Sequence, residues 1–153
     1  MREGLSMSTD KARYEARRWL ETAREDLDAA RTLMESGKFS HSCFFSQQAG
    51  EKAVKALWYF LGEDPWGHSI QKLIAELPDP GVHERLQSLL EAGALLDRFY
   101  IPTRYPNGLP DLTPGQAYFR RDAELCLESL RQLLSAVQDL MRDLGTLSLP
   151  KTS

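Results

Sequence analysis

No apolar run approaches the roughly 18 residues that a bilayer span requires. The N-terminal Met1-Arg2-Glu3-Gly4 also lacks the apolar core of a signal peptide, so a cytoplasmic protein is expected. Cysteine is scarce. Cys43 and Cys126 fall on apolar faces of predicted helices far apart in sequence, which reads as two reduced core thiols rather than a disulfide. A basic excess is missing as well: 19 Lys and Arg against 22 Asp and Glu leave a net charge of -3. That balance argues against a general nucleic-acid binder but leaves room for a local basic pocket that takes one nucleotide or a short RNA. The ten glycines are scattered, with neither a phosphate loop nor a dinucleotide fingerprint. His41, His68 and His83 sit in separate segments without metal-ligand spacing, so no metal site is expected. Nothing marks a nucleophile elbow, and paired carboxylates on helix faces fit solvation and salt-bridge spacing. No catalytic residue and no cofactor is therefore assigned.

What the chain does contain is helical periodicity. A length of 153 residues suits one domain, which buries about 68–70% of its unfolded surface, and 42% hydrophobic with 27% charged residues is ordinary globular composition. The expected domain spans 9–146, between flexible tails at 1–8 and 147–153. Helix one follows a Ser8, Thr9 or Asp10 cap and runs to Ser36 with Gly37 as its stop; Ala16, Trp19, Ala23, Leu27, Ala30 and Met34 form its apolar seam. A second helix, capped by Ser40, ends at Gly62. A short third helix spans about Ser69 to Leu77. A fourth carries Val82, Leu86, Leu89, Gly93, Leu96 and Tyr100 at regular steps of four and three. Pro102, Pro106 and Pro110 exclude a helix over Ile101 to Thr113. A fifth helix starts near Thr113-Pro114 and repeats Phe119, Ala123, Cys126, Leu130, Leu133, Val137, Leu140 and Leu144, widened by Leu127, Leu134 and Met141. No strand-like alternation competes. The expected fold is all-α, an up-and-down four-helix bundle with an additional short helix.

Three segments carry possible chemistry. In the second helix Phe45, Ala49, Ala53, Val54, Leu57 and Leu61 cover half the circumference, leaving a narrow polar stripe of Gln47, Gln48, Glu51, Lys52 and Lys55. Glu51 and Lys55 are an i,i+4 pair in the favourable order. That stripe reads either as a solvated face or as part of a site. His68-Ser69 opens the third helix, where the histidine can cap the helix, or stack on a base and donate to a phosphate. Arg104-Tyr105-Pro106-Asn107 lies in the proline-stiffened loop. There the guanidinium can grip a phosphate through two hydrogen bonds or lock the loop onto Glu51 or another carboxylate, and Tyr105 either offers a face to a base or covers the end of the bundle.

The order of these segments resembles the HEPN family. The matching features are Gln47-Gln48-Ala49-x-Glu51-Lys52-Ala53-x-Lys55-Ala56, then His68-Ser69, then Arg104-Tyr105-Pro106, preceded by Trp19-x-x-x-Ala23-x-x-Asp26-Leu27-x-x-Ala30. The likeness covers about residues 15 to 141. It implies a bundle of four to five helices, commonly dimeric, with a nucleotide- or RNA-related role. It also implies a minimal nucleotidyltransferase as partner, often in a toxin–antitoxin-like module. One departure is plain. Ribonuclease members carry Arg and His separated by four to six residues, whereas here Arg31 has nine residues between it and His41, and Arg104 has no histidine downstream. The expected function is thus a homodimeric nucleotide-binding accessory subunit, with Lys52, Lys55, His68, Arg104 and Tyr105 as ligand residues and Gln48 and Glu51 in support. The alternatives are a ribonuclease with a non-standard site, using His68 as base and Arg104 as phosphate stabiliser, or a purely structural interaction module.

Overall fold

The computed structural model describes residues 9–148, with side chains to residue 145. The long helices are α1 (Thr9–Glu35), α2 (Phe39–Phe60) and α7 (Arg120–Ser148). Between them lie α3 (Ile70–Ala75), α4 (Pro80–Leu86), α5 (Leu90–Asp97) and α6 (Pro114–Ala117), with 3-10 turns at Gln87–Leu89 and Pro106–Gly108. Among the described residues there is no strand, and no helix is long and apolar enough to cross a membrane. The all-α reading holds. Of the tails expected at 1–8 and 147–153, residues 1–8 and 149–153 lie outside the described residues, and 147 and 148 belong to α7 rather than to a tail.

Glycine sets the ends of α1 and α2. Gly37 (φ 79°) and Gly62 (φ 80°) take the left-handed conformation that side chains resist. Each closes the same double hydrogen bond: Lys38 N–H to the Leu33 carbonyl with Gly37 N–H to Met34, and Glu63 N–H to Trp58 with Gly62 N–H to Tyr59. The first of these turns the chain back, so α1 and α2 form an antiparallel hairpin. The expected Ser40 cap is not used. Lys38 stands at that position with no side-chain cap, and Ser40 is buried inside the helix.

Helix α2 is central. It packs on α1 along one side and on α7 along another, with α3 and α5 covering its middle. Alanine makes the close approach possible, since Ala16, Ala23 and Ala30 of α1 and Ala49, Ala53 and Ala56 of α2 are all fully buried. At Gly50 a Cβ would stand 3.0 Å from both Ile70 Cδ1 and Leu96 Cδ1, which marks where α2, α3 and α5 cross. The α7 seam is buried as its spacing predicts at Ala123, Cys126, Leu130, Leu133, Val137 and Leu140, although Phe119 is 66% exposed. Cys43 and Cys126 are free and buried; their mutual hydrogen bond, together with burial, pushes the Cys126 thiol far above its ordinary value.

Two predicted helices are broken. The fourth divides into α4, a 3-10 turn and α5, and its apolar steps of three and four survive one tightened turn without changing face. The fifth starts as expected with a Thr113–Gln116 capping box and Pro114 at the first position, then opens at Tyr118 (φ -113°, ψ 141°) before α7. Asp122 accepts the Phe119 N–H at 2.8 Å and restarts the helix.

Candidate functional site

The polar stripe of α2 is not a solvated face. Gln47 is fully buried and Glu51 is 5% exposed, because α3 and the segment before it close over them. A buried carboxylate must be paired, and this one is. Glu51 Oε2 accepts from Lys55 Nζ at 2.9 Å and lies 3.1 Å from His68 Nδ1. Glu51 Oε1 accepts weakly from Gln47 Nε2 at 3.4 Å. The same Gln47 amide donates to the His68 carbonyl at 3.3 Å, and Gln48 donates to Gln47 Oε1 at 2.8 Å. The three expected residues Glu51, Lys55 and His68 therefore form one connected group, with Gln48 behind it.

His68 is held from the other side too. Ser69 caps α3 by accepting the Lys72 N–H, so the cap expected of His68 falls to its neighbour. Asp97, the last residue of α5, then gathers three donors at the start of α3: Ser69 Oγ at 2.9 Å, Ile70 N at 2.8 Å and Gln71 N at 3.0 Å. Sequence reading missed Asp97, since its partners lie 26 to 28 residues back along the chain and nothing local announces them. Asp97→Ala is expected to destabilise the fold by about 1 kcal/mol, the usual cost of losing a helix cap. It should also broaden the His68 resonances in NMR spectra; unchanged stability and line widths would show that α3 is held elsewhere.

The His68 ring stacks on Tyr100, with centroids 5.2 Å apart and planes 23° apart. Arg104 stands over the same Tyr100 ring at 5.1 Å, over Phe44 at 4.6 Å and over Tyr105 at 5.0 Å. This aromatic cage, rather than a salt bridge to Glu51, positions the guanidinium. Among the described residues Arg104 meets no carboxylate. The loop beneath it is pinned by Thr103, which is buried and donates its hydroxyl to the Phe99 carbonyl at 2.6 Å. Arg104 and Tyr105 N–H both bond the Ile101 carbonyl. Tyr100 and Phe44 carry no role in the sequence reading, where Tyr100 simply continues an apolar seam.

Lys52 does not join this group. Its ammonium lies 2.7 Å from Asp26 Oδ2 on α1, and its side chain lines a different cleft. Trp66, two residues before His68, is 85% exposed. Beside Arg104 a cavity of about 400 Å3 opens between the start of α2 and α6, with Phe44, Phe45, His41 and Pro114 among its walls. Among the described residues no three His, Cys, Asp or Glu side chains cluster to hold a metal ion. The arrangement offers an exposed guanidinium, an imidazole oriented by a carboxylate and several aromatic faces, while the Lys55 ammonium is engaged by Glu51.

The model of the HEPN domain matches residues 16–140. The crystal structure of TT1696 from Thermus thermophilus superposes with a TM-score of 0.76 at 38% identity, covering 82% of this chain and 97% of that one. ST0689, described as an archaeal HEPN homologue, gives 0.69 at 33% identity over 83% and 98%. Among curated proteins, "Putative toxin MJ1304" of Methanocaldococcus jannaschii is 28% identical over 135 residues, 84% of this chain and 89% of that protein.

Proposed function

The chain belongs to the HEPN domain family, and from that membership we propose that it is the nucleotide-binding subunit of a toxin–antitoxin-like module. In this reading it acts as a homodimer beside a minimal nucleotidyltransferase, and its ligand's phosphate sits on Arg104. The observation that carries the reading is the Arg104 guanidinium, exposed, free of any carboxylate among the described residues and held in place by Phe44, Tyr100 and Tyr105. Rings that surround a guanidinium restrict its rotamers without neutralising its charge, so less freedom is lost when it grips an oxyanion. His68, aligned by Glu51 through Nδ1, presents its Nε2 edge beside the guanidinium's Tyr100 platform and donates from it as the imidazolium, and Tyr105 offers a face to a base. The toxin–antitoxin setting is supported by the name of the Methanocaldococcus relative. A homodimer is supported by the apolar side chains of Ile101, Tyr105, Leu112 and Phe119, all exposed around the loop.

Calorimetry against a panel of nucleoside mono-, di- and triphosphates tests the ligand. Arg104→Ala is expected to weaken binding by about tenfold or more, the loss of charge-assisted hydrogen bonds of roughly 1.5–3 kcal/mol. No heat with any nucleotide would end the reading. Co-purification from the native host tests the partner, and sedimentation tests the dimer.

A ribonuclease reading has one observation in its favour: His68 and Arg104 converge on the same Tyr100 ring. Incubation with structured RNA separates the two. Cleavage that His68→Ala abolishes would favour the enzyme, and intact RNA would favour the binding protein.

A further inference from the structure

A second cleft lies between α1 and α2. Its volume is about 430 Å3, and Glu15, Arg18, Trp19, Thr22, Lys52 and Tyr59 line it. The Trp19 and Tyr59 rings stand with centroids 5.2 Å apart and planes tilted by 31°, an offset stack in which each turns one face to the other at the wall of the cleft. The Lys55 ammonium is 5.9 Å from the Trp19 ring centre.

The charges of this cleft are already balanced. Arg18 Nη1 is 2.7 Å from Glu15, and Lys52 Nζ is 2.7 Å from Asp26. A phosphate entering here would have to break one of these pairs and would meet the carboxylate left behind, the reverse of the situation at Arg104. Two donors, in contrast, are available. Neither the Trp19 indole N–H nor the Tyr59 hydroxyl has a hydrogen-bond partner among the described residues. Burial, followed by the charges of Asp64 and Glu15, raises the Tyr59 phenol, so it stays protonated at neutral pH. An aromatic stack is extended by a third flat ring on its outer face, and the free donors at its edges select rings that carry acceptors.

We propose that the α1–α2 cleft is a second binding site, for an uncharged planar heteroaromatic molecule of the nucleobase or nucleoside class. The site does not depend on the phosphate reading at Arg104. It gives Lys52 a place in the molecule as a wall of this cleft, held there by Asp26.

The test is 15N NMR of the full chain titrated with adenosine, guanosine, cytidine and uridine in turn. The Trp19 indole peak is identified by its loss in Trp19→Phe. At least one nucleoside should shift that peak, with an affinity unchanged by Arg104→Ala. Thr22→Trp, which fills the cleft from α1, should weaken it by about tenfold or more. In the Arg104→Ala background the matching 5′-monophosphate should bind the cleft no more tightly than the nucleoside. An unmoved Trp19 peak with all four nucleosides at millimolar concentration would overturn the proposal, whatever happens at Arg104. So would a monophosphate that binds the cleft more than about tenfold better, because the cleft would then be an anion site. The wild-type titration decides even if Thr22→Trp does not fold.

Discussion

Glu51→Ala is expected to cost the fold about 3–5 kcal/mol. The reason is the ammonium left behind. The Lys55 side chain is only 11% exposed, and Glu51 is its sole carboxylate partner among the described residues. Removing that carboxylate strands a charge in a poorly solvated place, and the Trp19 ring at 5.9 Å offsets only a small part of the loss. For a domain of this size the change corresponds to a fall in Tm of roughly 6–20 °C. Denaturant unfolding of the variant checks it. A loss below about 1 kcal/mol would mean that Lys55 reaches water once released. The pair itself is not the source of stability: Glu51→Leu combined with Lys55→Met should recover most of the loss, since an apolar pair needs no desolvation of charge.

Gly93→Ala is expected to destabilise by about 1–3 kcal/mol through overpacking. A Cβ at this position would stand 2.9 Å from Ile70 Cγ2 and 3.3 Å from the Gln71 nitrogen, and Ile70 is fully buried with a branched side chain that has nowhere to turn. In an open helix the same change would help by roughly 1 kcal/mol, so the sign of the measured effect is diagnostic. Thermal unfolding that shows no loss would mean that α3 can slide along α5. Because α3 carries the segment after His68, the variant should also alter the His68–Tyr100 stacking, visible as a shift of the His68 ring protons.

The long helices were legible because their evidence is local and repeated. In α7 the apolar residues recur along its whole length, and in α1 and α2 a glycine sits where a left-handed residue is needed. The breaks in the fourth and fifth helices were not legible. Leu86, Leu89 and Gly93 keep their face through the 3-10 turn, and the extended Tyr118 lies between two segments that both read as helix. At the candidate site, the stripe of α2 pointed to Glu51 and Lys55 and the motifs to His68 and Arg104, and the structure brings Glu51, Lys55 and His68 into contact and places Arg104 on the Tyr100 ring that His68 stacks on. The partners that hold them are Asp97, Thr103, Tyr100 and Phe44, and these come from other helices and loops. Contacts between residues far apart in sequence leave no periodic trace. Lys52 shows the converse: it shares the stripe's spacing with Lys55, yet Asp26 of α1 captures it.

Asp97 ends α5 and anchors the first turn of α3, while the chain leaving α5 runs directly into the Arg104 loop. The imidazole and the guanidinium are thus moored to one post. Displacing α5 would therefore pull on both arms at once, against the holds that Glu51 and Phe44 of α2 keep on them. A substitution that shifts α5 would then weaken a ligand bridging the two arms although it touches neither.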